Sequence, residues 1–413
     1  MRIVSLGLVA ALSLMATGTL AKTPPQHWVT TWASAQMIPG NDSPLPIEPG
    51  GDGTLRQIVR VAEGGTSFRI RMSNSQSTVP LHLKDIHVAL ATAVDSPATV
   101  AGSDRTVTFN GATDVVIPPW SDFISDPIDL TAADNSDIAI SLYFPEAPKM
   151  LTGHPGSRTT SYLVSGDHTA DATLSDAKTF NHWFNISAID VAAKPGTAGI
   201  IAFGDSITDG YGITPNSNTR YTDDLNVRLH SLPRALAHAH RPVLNLGIGG
   251  NRLLLDGLGP NALARFDRDV LSLSGARYVL VLEGINDLGV LTRDATVPPE
   301  DHAAMVRQIE QAYVQMIDRA HSHDLLIYGA TIMPFGGNDY YHPEAVTEAD
   351  RQAVNLWIRT SGRFDGVIDF DMALRDPQQP DRLNPVYDSG DHLHPSPAGY
   401  KAMAEAVDLK LFK

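Results

Sequence analysis

The sequence predicts an all-β, sandwich-like unit followed by a parallel, doubly wound α/β sheet with helices on both faces. Three observations predict this. From Thr30 to about Val191 apolar residues come in short alternating runs broken by turn residues, whereas beyond that point the pattern becomes strand, loop, helix. Between the two regimes lies Ala193-Lys194-Pro195-Gly196-Thr197, a plausible linker by composition. A length of 413 residues also exceeds what one ordinary core fills. The expected organisation is an export signal over residues 1–21, the β unit over 22–193 and the α/β unit over 194–413.

The amino terminus has the parts of an export signal. Met1-Arg2 is a short positive start, Ile3 to Ala16 is mostly apolar, and Thr19-Leu20-Ala21 ends on small residues. Ser5, Ser13 and Thr17 interrupt the apolar run, which falls short of the ~20 residues a membrane span needs. Cleavage before Lys22 is therefore expected in preference to anchoring, with no stable membrane insertion afterwards. A periplasmic or extracellular protein follows from that reading, and oligomeric state is left open.

In the β unit, Phe68-Arg69-Ile70-Arg71-Met72 alternates apolar and polar residues, and Asp137 to Phe144 forms a second strand ended by Pro145. Glu63-Gly64-Gly65, Asn110-Gly111 and Pro118-Pro119 read as turns. In the α/β unit, buried strands are expected near Gly199 to Phe203, Val243 to Leu246, Tyr278 to Leu282, Leu325 to Ala330 and Val367 to Phe370. The clearest helix spans Glu300 to His321, with Met305, Ile309, Ala312, Met316 and Ala320 on one apolar stripe. Such sheets place ligands at the carboxyl ends of their strands, so the loops there are where chemistry is sought.

Composition excludes several functions. A formal charge of −15 at pH 7, with no Lys/Arg run, argues against a nucleic-acid partner, because an acidic surface repels phosphate. The absence of cysteine excludes disulfides, thiolate metal sites and a cysteine nucleophile.

Gly204-Asp205-Ser206 follows the first parallel strand directly, where a serine can be exposed while its own N–H faces the same cavity. A serine hydroxyl needs a base held by a third group. Among fifteen histidines the best placed is His394 in Asp391-His392-Leu393-His394-Pro395, ahead of a helix announced by the cap Ser396 and by Pro397. Asp391, three residues earlier, is close enough in one turn to hold the imidazole tautomer. His392 reads as structural or solvent-facing, and no third ligand accompanies this cluster, so neither a metal nor a cofactor is expected. Oxyanion donors can come from two further strand ends: Gly247-Ile248-Gly249-Gly250-Asn251 and Glu283-Gly284-Ile285-Asn286-Asp287.

These four segments, in this order, resemble the four block motifs of the SGNH/GDSL hydrolases. The resemblance covers residues 199–413. It implies a flavodoxin-like SGNH hydrolase fold, with Ser206 as nucleophile and one oxyanion donor, Gly250 N–H and the Asn286 side chain as the other donors, His394 as base and Asp391 as its partner. Gly249 stays open as the alternative to Gly250. Ile207 stands where the family name has leucine, an apolar exchange. Trp28-Val29-Thr30-Thr31-Trp32-Ala33-Ser34 also looks like the opening of two-domain secreted members that carry a β-sandwich first. The rival α/β-hydrolase pattern, Gly-x-Ser-x-Gly, is not met, because position 208 is threonine.

The expected activity is hydrolysis of carboxylic esters through an acyl-enzyme, on O-acetylated carbohydrate or other small-molecule esters. Two readings compete: a broad short-chain aryl or alkyl esterase, and a carbohydrate-binding or surface protein with an inert hydrolase half. Substrate contacts are sought in Phe335-Gly336-Gly337-Asn338-Asp339-Tyr340-Tyr341 and at Arg252, and Asn185-Ile186-Ser187 fits a glycosylation sequon.

Overall fold

In the computed structural model, which describes residues 26–236 and 239–413, antiparallel pairing ends with the strand Ile186–Ala192 and parallel pairing begins with Gly199–Gly204. The expected export segment, residues 1–21, lies outside the described residues. No described helix is long and apolar enough to cross a membrane.

The antiparallel half consists mainly of two sheets. One orders Trp28–Ala33, Ile186–Ala192, Phe68–Ser73 and Asp122–Ile124. The larger runs Lys178–Phe180, Ser161–Val164, Gly53–Arg60, Asp137–Phe144, Leu81–Leu90 and Arg105–Thr106, with Asp114–Ile117 also on Leu81–Leu90. Period-two alternation gives each strand an inner face. Phe68, Ile70, Met72 and Ile189 of the first sheet share a core with Leu55, Val59, Leu83, Ile138 and Ile140 of the second. Ile58 and Ala139, one residue out of phase, pack on the opposite face with Tyr162 and Leu174. Asn110 and Gly111 both take positive φ, 52° and 79°, and Phe109 N–H donates to the Ala112 carbonyl at 2.9 Å, closing a tight hairpin as the dipeptide predicts.

The sequon is not a usable acceptor in this fold. Asn185 is 1% exposed and donates its amide to the Ser73 carbonyl at 2.9 Å, which ties it into the sheet core.

The parallel sheet has the order Val243–Gly247, Gly199–Gly204, Ala276–Leu282, Leu326–Ala330, Gly366–Ile368. In chain order this is 2-1-3-4-5, the flavodoxin-like arrangement with its switch point beside the first strand. Ile200 to Phe203 and Tyr278 to Leu282 are buried throughout, as befits strands covered on both faces. The long helix forms over Pro299–His321, burying Ile309, Ala312, Met316 and Ala320 of the predicted stripe together with Tyr313 and Ile317. The fifth strand is shorter than expected. It stops at Ile368 because Asp369 caps a new helix, Phe370–Leu374, accepting from Met372 N–H at 3.1 Å, while Arg359 grips the same carboxylate.

The halves are tightly joined. Thr30 N–H donates to the Ser274 carbonyl at 2.9 Å, and Arg69 and Arg71 reach Ser274 and Ser272. Ala33, Ala35 and Ala188 of the antiparallel half lie in the core of the parallel half.

Candidate active site

Register brings three loops together. Gly204 pairs with Gly247 on one side and Leu282 on the other, so the segments beginning at Asp205, Ile248 and Glu283 leave adjacent strands at the same level. Packing there is close enough to require glycine at the first position. A Cβ on Gly204 would overlap the Thr208 hydroxyl and sit 2.6 Å from the Leu282 carbonyl oxygen.

Asp205 caps the four-residue helix Ser206–Asp209 by accepting from Ile207 N–H at 2.9 Å. Ser206 is the first residue of that helix, so its N–H has no intrahelical acceptor. Its Oγ lies 2.8 Å from His394 Nε2, and His394 Nδ1 lies 2.6 Å from Asp391 Oδ2. A carboxylate can only accept, so Nδ1 carries the hydrogen and Nε2 presents its lone pair to the serine hydroxyl. The other oxygen, Asp391 Oδ1, accepts from Ser389 Oγ (2.9 Å), Leu393 N–H (3.0 Å) and His394 N–H (2.8 Å). Burial pushes the Asp391 pKa up, but the hydrogen bonds from the His394 ring and backbone, with its neighbours, outweigh that and hold it well below the usual carboxylate range. Behind the imidazole, Ser396 accepts from Gly399 N–H at 3.2 Å and starts the helix Pro397–Ala406, as its sequence predicts. His392 turns away and binds Asp388 Oδ2 at 2.6 Å.

Asn286 is the second residue of the helix Ile285–Arg293 and is 2% exposed. Its Nδ2 donates to the Asn251 carbonyl at 2.7 Å, and its Oδ1 accepts from the Tyr341 hydroxyl at 2.6 Å. The amide orientation is forced, because the Asn251 carbonyl can only accept. One Nδ2 hydrogen is left for a ligand. Gly250 takes φ +72°, and no hydrogen bond among the described residues uses the N–H of Gly249 or Gly250.

The Phe335–Tyr341 loop serves differently from the expectation. Tyr341 is buried and braces Asn286, while Asn338 donates to the Asp391 carbonyl at 2.8 Å. Only Tyr340 of its two tyrosines is exposed, and it accepts from Arg293 at 2.7 Å. Arg252 folds back onto the Asp256 carbonyl of its own loop. Burial, and then the charge of Asp205, raise the Tyr341 phenol well above its ordinary pKa, which keeps it a donor.

A charged layer lies beneath these loops. Arg265, fully buried, donates to the carbonyls of Gly204 (2.9 Å) and Leu246 (2.8 Å), to Asn251 Oδ1 (2.8 Å), to Asp269 (3.0 Å) and to Glu283 (3.2 Å). One side chain thus ties three strand ends together, and its position outside any motif hides it from sequence reading. Asp287 accepts from Leu253 and Leu254 N–H at 2.8 and 3.1 Å, which fixes the loop after Gly250. Burial pushes its pKa up to about 6 against those hydrogen bonds. Burial likewise pushes Asp205 up to about 7, opposed by the Ile207 N–H and Arg265 and reinforced by the charge of Asp287, and raises Glu283 well above its usual range.

The antiparallel half also reaches the site. His154 Nε2 lies 2.9 Å from Asp209 Oδ1, in the short helix that begins at Ser206. The Arg158 guanidinium lies 5.4 Å from the Tyr211 ring centre, and that ring packs 4.1 Å from the His394 imidazole centre, half-exposed. Pairings across more than fifty residues leave no local sequence signal.

Residues 202–402 match the GDSL-like Lipase/Acylhydrolase family. That segment is a GDSL-like lipase/acylhydrolase domain, and the protein is by class a carboxylic ester hydrolase. No curated protein matches the chain. Similar solved structures include a GDSL-like lipase from Bacteroides thetaiotaomicron, 16% identical, covering 52% of this chain and 87% of its own, with TM-score 0.37. An acetyl xylan esterase variant from Geobacillus stearothermophilus is 20% identical, covering 51% and 94%, with TM-score 0.36. A carbohydrate acetylesterase from Sinorhizobium meliloti is 11% identical, covering 51% and 96%, with TM-score 0.38.

Proposed function

We propose that this protein is an exported serine esterase that removes short acyl groups, acetyl foremost, from carbohydrate through an acyl-enzyme. The observation that carries the mechanism is the unbroken path from Ser206 Oγ through the His394 ring to Asp391, at 2.8 and 2.6 Å. Ser206 attacks the ester carbonyl as His394 Nε2 takes its proton, and Asp391 holds the resulting imidazolium. The N–H groups of Ser206 and Gly250 and the free Asn286 amide hydrogen receive the oxyanion. His394 then returns the proton to the leaving alcohol, and a water activated by the same nitrogen releases the acid.

Two features support a short acyl group and a polar alcohol. Leu258 lies against Gly250, where a Cβ would sit 2.6 Å from its Cδ1, and the Tyr211 ring packs on His394, so bulky side chains flank both an oxyanion donor and the base. Tyr211 itself is half-exposed and stands with Arg158 beside the base, an aromatic ring and a cation within reach of a polar alcohol. Export rests on the composition of residues 1–21.

An acetate-release screen across acetylated oligosaccharides and simple esters tests the substrate class. Acetylated oligosaccharides are expected to give the highest kcat/KM; higher values for aryl or alkyl esters throughout would overturn that choice. Ser206→Ala is expected to abolish p-nitrophenyl acetate hydrolysis and labelling by a fluorophosphonate, and retention of the wild-type rate would overturn the mechanism.

A further inference from the structure

We propose that Glu63, Asp134, His230 and His240 form a binding site for one divalent transition-metal ion, zinc by preference, at the junction of the two halves. The four residues are the one such group of histidine and carboxylate side chains among the described residues. Each offers a ligand atom, and these atoms all lie within 4.8 Å of one another. His230 Nε2 is 3.1 Å from Glu63 Oε2, and His240 Nδ1 is 3.4 Å from Asp134 Oδ2. Tetrahedral zinc with bonds of about 2.0 Å requires ligand atoms about 3.3 Å apart. Two edges of that tetrahedron are therefore already set.

The hydrogen-bond pattern points the same way. His230 Nδ1 lies 2.9 Å from the Asn226 carbonyl, which can only accept, so Nδ1 carries the hydrogen. If the ring is neutral, its Nε2 lone pair then faces a carboxylate oxygen, and a metal ion between the two atoms relieves that repulsion as a proton on Nε2 otherwise would. A backbone carbonyl on the far nitrogen is the usual way a metal-binding histidine is oriented. His240 Nδ1 is buried and has no hydrogen-bond partner among the described residues, and its ring lies 5.0 Å from that of His230, steeply inclined at 76°. Asp134 is oriented by Gly64 N–H, which donates to its other oxygen at 2.9 Å.

Charge leaves room for a dication. Two carboxylates meet one guanidinium, that of Arg234, which is largely exposed and lies 2.6 Å from Asp134 Oδ2 and 3.6 Å from Glu63 Oε1. Nitrogen and carboxylate ligands without thiolate suit zinc among the common ions. Four protein ligands close the coordination sphere, so the ion is structural. It clasps the end of the helix Tyr221–His230 to loops of the antiparallel half and takes no part in ester hydrolysis.

The full-length protein, stripped with EDTA and dialysed, is titrated with Zn2+ at neutral pH by calorimetry and by thermal denaturation. One saturable site per chain and a rise in Tm that saturates with it are expected. His240→Ala and Glu63→Gln are each expected to weaken binding at least about tenfold while p-nitrophenyl acetate hydrolysis is retained. His394→Ala, inactive, is expected to bind as the wild type does. The proposal is overturned if the wild type shows no saturable 1:1 binding, as a protonated His230 paired with Glu63 would give. It is equally overturned if both junction variants bind unchanged, or if His394→Ala abolishes binding and so places the ion at the catalytic histidine. Retained hydrolysis in the junction variants reports folding, which keeps loss of the site distinct from loss of the molecule.

Discussion

Replacing Tyr341 by phenylalanine removes one oxygen from a buried position and tests whether Asn286 acts through a fixed orientation. The Tyr341 hydroxyl donates to Asn286 Oδ1 at 2.6 Å, and both residues are buried. Losing that bond leaves Oδ1 without a donor, so the loss of stability is about 2 kcal/mol, between a net hydrogen bond and a buried unsatisfied acceptor. The amide keeps its second restraint, the 2.7 Å bond to the Asn251 carbonyl, so it is loosened and still present. Complete removal of an oxyanion donor lowers kcat about 10²- to 10³-fold, and loosening one of two restraints is expected to lower it about tenfold. KM should stay within about twofold, since the contact strengthens only as negative charge develops. The assay is steady-state hydrolysis of p-nitrophenyl acetate by wild type, Tyr341→Phe, Asn286→Ala and the double variant, with urea unfolding of each. If Tyr341 acts through Asn286, the double variant is no slower than Asn286→Ala. An unchanged kcat beside the expected loss of stability would refute the positioning role, and so would a tenfold loss that persists in the Asn286→Ala background.

Three further perturbations follow from the geometry. Asp391→Asn should lower kcat about 10⁴-fold by disturbing the imidazole tautomer. Because the folded carboxylate titrates below its ordinary range, its contribution to stability is present above the unfolded pKa and is lost as pH falls through the folded one. The stability gap between wild type and Asp391→Asn, followed by urea unfolding, should therefore shrink in acid; a gap that widens there contradicts the assignment. Asp205→Asn keeps an acceptor for Ile207 N–H but cannot ionise. With a folded pKa pushed up to about 7, Asp205 binds its proton more tightly in the native state, so wild-type stability is lost as pH rises from the ordinary carboxylate range towards 7. The variant should show a smaller decline over that window, and identical pH profiles would count against a buried, raised Asp205. Gly289→Ala places a Cβ into the ring of Tyr341, so kcat should fall as in Tyr341→Phe, and an unaffected rate would show that the ring can move without consequence.

Local order made much of this protein legible from its residues. The antiparallel strand Asp137–Phe144 and the long helix Pro299–His321 follow from patterns of period two and 3.6 that any chain must satisfy to bury apolar side chains. Asp391 and His394 meet within one turn, so three residues of spacing almost suffice to predict their contact. The fifth strand ends earlier than its run of apolar residues predicts, because Asp369 is recruited by Arg359 and by the next helix, and neither partner shows in that run.

The sequence by itself determined the change from antiparallel to parallel architecture, because periodicity is local, and strand-end position together with the resemblance of four short motifs singled out Ser206, Gly250, Asn286, Asp391 and His394. Tertiary structure alone decided what holds them. Arg265 joins three strand ends, Tyr341 turns from the expected substrate loop onto Asn286, and His154 crosses from the antiparallel half to Asp209. The cluster of Glu63, Asp134, His230 and His240 likewise exists only once four separate stretches of chain converge. Such pairings depend on long-range packing, where the partner of a buried polar group is chosen by proximity in space, and no spacing along the chain records it.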